Sequence, residues 1–139
     1  MDLHGSCHCG NLRYVLDWPG EPSAIPGRAC GCGFCTRHGA VWTSHPEARL
    51  TIETGDPAAV SRYAFETRTA EFLACTRCGI VPVCTSRIDG RDYAVVNVNT
   101  FDDPSIPVET VPASFDGEAA GARLERRSQR WIATVRFPA

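Results

Sequence analysis

No stretch of this sequence offers the roughly 20 consecutive apolar residues that a membrane-spanning helix needs. Its opening, MDLHGSCHCG, contains no apolar run of the kind that forms a secretory leader. No membrane partner is therefore expected, and a reducing, cytoplasmic compartment is. An excess of positive charge is missing too. Lys and Arg together number 14 against 16 Asp and Glu, a formal net charge of −2. That balance supplies no basic field for a polyanion, so no nucleic-acid partner is expected. There is no long 3.6-residue apolar period, no internal repeat and no low-complexity tract, which argues against a helical bundle, a repeat array or a disordered linker.

What is present is alternation. In NLRYVLD, Leu12, Tyr14 and Leu16 share one face, with Arg13 and Asp17 on the other. ARLTIETGD alternates through Leu50 and Ile52 and turns at Gly55-Asp56. AEFLAC and GIVPVCTS flank a cysteine pair. RDYAVVNVNTF places Ala94, Val96 and Val98 on one side and Tyr93, Val95, Asn97 and Asn99 on the other. QRWIATVRF reads as a closing strand with Trp131, Ala133, Val135 and Phe137 on one face. A period of two marks half-buried strands. Ten prolines and twelve glycines punctuate these runs at short intervals, as in all-β domains. Short helical turns are expected near 35–39 and 56–60. PASFDGEAAGARLERRS, residues 112–128, is the least patterned stretch and reads as a loop before the last strand. The chain of 139 residues is read as one domain, 1–139, large enough to bury a core without covalent staples.

Eight cysteines in a reducing compartment favour metal binding or redox chemistry over structural disulfides. Seven fall in clusters: Cys7-x-Cys9, Cys30-x-Cys32-x-x-Cys35 and Cys75-x-x-Cys78. Thiolates so close in sequence can share one tetrahedral zinc, provided the chain bends between them. Glycine permits such bends, and Gly10, Gly31, Gly33 and Gly79 stand beside the ligands. Cys7, Cys9, Cys75 and Cys78 make a complete four-thiolate set, which predicts a structural zinc. Cys30, Cys32 and Cys35 supply only three ligands. That leaves one coordination position open, as a catalytic zinc requires. Closure of the triplet by Cys84 or a histidine would instead make it a second structural site. Cys84 reads as a buried strand cysteine.

Among other candidates, His38 lies three residues past Cys35 and is the best-placed histidine for the open site. His8 sits between two ligands and points away, and His45 has no obvious partner. Asn97 and Asn99 read as solvent-facing or cross-strand hydrogen-bonding residues, and Phe34 and Trp42 as core or pocket wall. Arg28, Arg37 and Arg77 flank the clusters and are possible carboxylate partners.

GSCHCGNLRY, CGCGFCTRHGAVW, AEFLACTRCGIVPV and YAVVNVNTFDD, in this order, resemble the glutathione-dependent formaldehyde-activating enzyme family, also called S-(hydroxymethyl)glutathione synthase-like proteins. The resemblance spans roughly residues 5–115 and includes all seven clustered cysteines. Gly31 stands where many members carry a histidine or another polar residue. The resemblance implies a mainly β, single-domain zinc-binding fold of several short antiparallel sheets; the C-terminal loop and strand over 112–139 are read from the patterning of the chain. It implies two zinc ions, one structural at Cys7, Cys9, Cys75 and Cys78 and a more labile one at Cys30, Cys32 and Cys35. It implies a carbon–sulfur lyase that joins a small thiol such as glutathione to formaldehyde or a related aldehyde, with the triplet as reactive centre. Two other readings compete. One is a non-catalytic two-zinc module for structure or interaction. The other is a redox switch on Cys32 and Cys35, which lacks the βαβ pattern of a thioredoxin-like setting.

Overall fold

The computed structural model describes residues 1–138. The chain runs β1 (Asp2–Ser6), β2 (Leu12–Asp17), β3 (Ile25–Cys30), α1 (Gly33–His38), β4 (Trp42–Thr43), β5 (Arg49–Thr54), β6 (Val60–Tyr63), β7 (Glu71–Cys75), β8 (Val83–Ile88), β9 (Arg91–Asn97), β10 (Val108–Ala113), α2 (Ala120–Arg130) and β11 (Thr134–Arg136). Short 3-10 turns occupy Pro57–Ala59 and Val98–Thr100. The strands form two sheets, a four-stranded one ordered β1-β2-β5-β11 and a seven-stranded one ordered β10-β3-β4-β9-β8-β7-β6. Pairing is antiparallel except at two sheet edges, where β10 runs parallel to β3 and β11 parallel to β5. The expected mainly β fold with antiparallel pairing is thus present.

The alternation read from β2 and β5 is used as expected. Leu12, Tyr14 and Leu16 are buried while Arg13 and Asp17 are exposed, and Leu50 and Ile52 do the same on β5. These residues join Leu73, Val83, Ala94, Val96 and Ile132 in one core cluster that both sheets contribute to. Each fully buried aliphatic side chain there contributes roughly 1.5–3 kcal/mol. The middle strands β8 and β9 bury successive residues, 83–86 and 94–97, because both of their faces are covered there. Their other set, Cys84 and Val95, belongs with Phe72 of β7 to a second cluster with Cys35, Trp42 and Trp131. That second cluster lies under α1 and α2 and positions the site.

Two expectations are corrected. Residues 112–128 are not a single loop: Pro112 and Ala113 finish β10, and α2 begins at Ala120. The helix escapes pattern reading because its one large aliphatic residue is Leu124 and its buried residue is Arg127. An inward face made of guanidinium carries no apolar period. Its start also lacks the usual signals, since Ala119 caps it without a side-chain hydrogen bond and no acid stands in its first turn. The closing strand is shorter than its alternation. Gln129 and Arg130 are helical, Trp131 and Ile132 bury in opposite clusters, and only Thr134–Arg136 pair as β11. Phe137 is exposed. The expected turns near 35–39 and 56–60 correspond to α1 and to the 3-10 turn at Pro57–Ala59. Among the described residues no helix is long and apolar enough to cross a membrane.

Candidate functional site

The four-cysteine cluster is built from two tight turns. Cys7 follows β1, and Cys75 ends β7. After each pair, a glycine enters the left-handed region, Gly10 at φ +83° and Gly79 at φ +80°, where a side chain would be strained. Gly10 N–H donates to the Cys7 carbonyl at 3.1 Å, and Gly79 N–H to the Cys75 carbonyl at 2.8 Å. Cys7 Sγ lies 3.7 Å from Cys9 Sγ, and Cys9 Sγ lies 3.5 Å from Cys75 Sγ. All four sulfurs fall within 4.8 Å of one another. Four sulfurs at Zn–S distances of about 2.3 Å stand about 3.8 Å apart in a tetrahedron, so this donor set fits zinc. Burial raises the Cys78 thiol, but hydrogen bonds from the Cys9 and Ile80 backbone and from the Cys75 and Cys7 side chains together outweigh it and hold the group at about 6. Cys9 shifts the other way: a backbone hydrogen bond from Asn11 lowers it, but its contacts with Cys75, Cys7 and Cys78 push it up to about 11. Leu12 N–H donates to Cys7 Sγ at 3.3 Å.

The triplet arises differently. Cys30 is the last residue of β3, Cys32 is the N-cap of α1, and Cys35 lies in the helix's first turn. Strand gives way to helix within two residues, and this brings the three sulfurs within 4.8 Å of one another. The bend was expected to use positive φ at Gly31 and Gly33; neither adopts it. Gly31 instead extends the strand pairing, donating to Ala113 O at 2.9 Å. Two N–H groups orient the sulfurs: Cys35 N–H to Cys32 Sγ at 3.3 Å and Trp42 Nε1–H to Cys35 Sγ at 3.3 Å. A hydrogen bond from Cys35 draws the Cys30 thiol down to about 5, against the effect of burial. The same contact pushes Cys35 upward. Among the described residues no fourth Cys, His, Asp or Glu joins this set. Three thiols gathered this closely fit a zinc held on three sides.

A cavity of about 100 Å3 opens onto Cys30, Cys32 and Cys35. Part of its lining is apolar, with Trp42, Phe72, Val95 and Trp131. Phe72 anchors an aromatic cluster, its ring 4.4 Å from Phe34, 5.5 Å from Phe65 and 5.8 Å from Trp42 between centroids. The rest of the lining is charged: Arg28 from β3 and Arg123, Arg126 and Arg127 from α2, with Asp116 and Glu66 among them. The segment between β6 and β7 forms part of the rim through Phe65, Glu66 and Thr67. Glu66 and Arg68 sit at φ 55° and 57° there. Non-glycine residues in that region are strained by about 1 kcal/mol or more and persist only when held. Contacts from α2 and β8 hold them: Arg123 Nη1 meets Glu66 Oε2 at 3.5 Å, and Ser86 Oγ–H donates to Thr69 O at 2.6 Å.

The remaining sequence candidates scatter. Cys84 is buried on β8 and lines the cavity outside the triplet, and burial pushes its thiol up. His8 is exposed, and His38 is exposed with its ring 4.5 Å from Phe34, outside the cavity lining. His45 stacks edge-on against Trp18 and accepts from Glu47 N–H at 3.0 Å. Asn97 is buried scaffolding, accepting from Val41 N–H and donating to Val81 O, and Asn99 donates to Gly39 O at the end of α1. Of the flanking arginines only Arg28 reaches the cavity. Arg37 folds back on Gly33 O, and Arg77 pairs with Asp56 at 2.8 Å. Reading the sequence missed Arg123, Arg126, Arg127 and the pocket role of Trp131. The available signal was the spacing of Arg123 and Arg127, which puts them on one face if the stretch is helical.

A family model described as glutathione-dependent formaldehyde-activating enzyme matches residues 2–115. A crystal structure of a Rhodobacter sphaeroides protein superimposes with a TM-score of 0.56 at 29% identity, covering 76% of this chain and 99% of its own. The matched family stretch ends before α2 and β11.

Proposed function

The chain belongs to the glutathione-dependent formaldehyde-activating enzyme family, and from that premise we propose that it is a zinc-dependent carbon–sulfur lyase-type enzyme. Its substrates are glutathione or another small thiol and formaldehyde or a related aldehyde adduct. The observation that carries this reading is the triplet, three thiols gathered at the wall of a cavity with no fourth protein ligand among the described residues. Cys30, Cys32 and Cys35 would hold the second zinc, which would supply a Lewis acid and favour the thiolate form of an incoming thiol. Cys7, Cys9, Cys75 and Cys78 would hold the first, as a structural tie. We take a reducing cytoplasm as its working compartment, the setting in which eight cysteines favour metal binding over disulfides. We take residues 1–139 as one domain.

In the synthetic direction the thiol sulfur bonds to the aldehyde carbon, the carbonyl π pair moves to oxygen, and the thiol proton ends on that oxygen. The reverse breaks the carbon–sulfur bond. The chain's own part is to place the reactants and keep water out. Trp42 and the helix-capping bond of Cys32 fix the sulfurs. Trp42, Phe72 and Trp131 surround the meeting point with apolar surface. Holding two reactants in contact replaces a bimolecular encounter with an effectively unimolecular step. The test is to titrate one-zinc and two-zinc protein with glutathione and formaldehyde and follow adduct formation by NMR. Faster adduct formation with two-zinc protein alone is expected; inert two-zinc protein would overturn the reading.

A further inference from the structure

The proposed reaction moves one proton. It must leave the sulfur of the incoming thiol, and a proton must arrive on the former carbonyl oxygen. Few side chains of the cavity can carry it. The arginines stay protonated and accept nothing. Cys30, Cys32 and Cys35 are committed to the second zinc. Cys84 is buried, and burial pushes its thiol up, which makes it a poor proton donor at neutral pH. Among the described residues no histidine or tyrosine lines the cavity, and the remaining candidates are two carboxylates, Glu66 and Asp116. Their partners differ. Glu66 lies 3.5 Å from the Arg123 guanidinium, and an ion-paired carboxylate is a weaker base. Asp116 bonds through its backbone alone, N–H to Ser114 Oγ at 3.5 Å, and its carboxylate meets no cation or hydrogen-bond donor among the described residues.

The chain carries this free carboxylate to the triplet. β10 runs parallel to β3 with Ala113 opposite Cys30, and Gly31 N–H donates to Ala113 O at 2.9 Å, so β10 ends beside the triplet. The next residues turn, with Gly117 at φ +76° and Glu118 N–H donating to Phe115 O at 3.2 Å. α2 pins both flanks of Asp116. Arg123 Nη2 donates to Phe115 O at 3.0 Å, and the Arg126 guanidinium stacks 3.7 Å over the Phe115 ring. Arg126 also forks onto Glu118, with Nη2 at 3.0 Å and Nε at 3.2 Å from its carboxylate oxygens. Between these anchors Asp116 lines the cavity together with Cys30. The Cys30 thiol, drawn down chiefly by Cys35, is pushed the other way by the Asp116 charge, so the carboxylate stands within electrostatic reach of the triplet. We propose that Asp116 is the proton carrier of the reaction. Its carboxylate takes the proton of the incoming thiol as the sulfur bonds to the aldehyde carbon, and the acid so formed returns it to the oxygen that receives the carbonyl π pair. In reverse, the carboxylate takes the hydroxyl proton and the acid gives it to the departing sulfur. The inference rests on the proposed reaction, and it places a catalytic residue one position beyond the matched family stretch.

Asp116 is exposed and its carboxylate anchors nothing, so its variants test the chemistry rather than the fold. Asp116→Asn keeps the size of the side chain and removes the base. In the two-zinc protein, with glutathione and formaldehyde followed by NMR, it should keep both zincs and the melting temperature. It should lose roughly a hundredfold or more in kcat, the range of general acid–base catalysis, with KM little changed. Asp116→Ala should show the same loss, and added acetate should restore part of its rate, which a loss of structure would not allow. A folded Asp116→Asn protein of wild-type kcat, a loss confined to KM, no rescue of Asp116→Ala by acetate, or loss of a zinc equivalent would overturn the role. The two proposals fail in different ways. Active wild-type protein with an equally active Asp116→Asn variant sinks the proton carrier alone, whereas inert two-zinc wild-type protein sinks the proposed reaction and the carrier with it.

Discussion

The two cysteine clusters use the same donor atom and do opposite things with the chain. The four-cysteine cluster joins segments 66 residues apart, as in the contact of Cys9 with Cys75, and links the turn after β1 of one sheet to the end of β7 in the other. The triplet lies within one strand-to-helix junction, six residues from Cys30 to Cys35 counted inclusively. Closing a long loop removes much conformational freedom from the unfolded chain, whereas closing a short one removes little. The first arrangement is suited to hold a fold together and the second to present a metal. Their surroundings agree: Cys7 and Cys75 pack in the core shared by the two sheets, while Cys30, Cys32 and Cys35 line the cavity.

The largest expected effect breaks the long-range cluster. Metal binding of this type is folding free energy, of order 10 kcal/mol for structural zinc. Cys78→Ser should therefore yield unfolded or aggregated protein, checked by circular dichroism and a melting curve. A wild-type melting temperature would remove the structural role. The matching change in the triplet should spare the fold. Serine is itself a good N-cap, so Cys32→Ser retains the start of α1. It should keep one zinc and a near-native melting temperature while losing thiol–aldehyde adduct formation; wild-type activity would end the catalytic reading. A chelator titration followed by metal analysis sharpens the same contrast. The triplet's zinc, with one fewer thiolate and an open face, should leave before the other.

Two smaller effects test the neighbourhood of the triplet. Cys84→Ala should leave the zinc content unchanged and lower stability by about 1–2 kcal/mol through lost packing. Loss of a zinc equivalent would show Cys84 closing the triplet. Glu118→Gln loosens the anchor of Arg126. A hydrogen bond from Arg126 holds the Glu118 carboxyl below its ordinary value. The stabilisation is thus complete above the unfolded carboxylate value of about 4.3 and fades as the pH falls through the lower folded value. The variant should be less stable than wild type by under about 1 kcal/mol at pH 7, and the gap should narrow as the pH falls below the unfolded carboxylate value of about 4.3 in denaturant titrations.

Much of this was legible beforehand because it is local. Leu12, Tyr14 and Leu16 had to share a face once they lay in a strand, and C-x-C and C-x-x-C spacings with Gly10 and Gly79 announce tight turns. Other features were not legible. AGARLERRSQR shows no apolar stripe, so nothing in it marks α2, whose inner face is made by Arg127. The alternation through Trp131 and Ile132 does not mark a strand, since the two residues serve opposite cores at a helix end. The β3–α1 junction turns without positive φ at Gly31 or Gly33.

By itself the sequence determined the local cysteine groups, because C-x-C and C-x-x-C spacings keep those thiols close whatever the fold, and it determined the strands whose faces differ in polarity; that Cys7 and Cys9 meet Cys75 and Cys78 was decided by the fold. Only the tertiary structure decided what faces the triplet. Whether an arginine is a solvated surface group or the wall of a cavity depends on which distant residues surround it. Arg127 is buried because Thr69, Ser86 and Trp131 converge on it, two of them from remote segments. Desolvation is a property of that assembled environment, and no pattern along the chain encodes it.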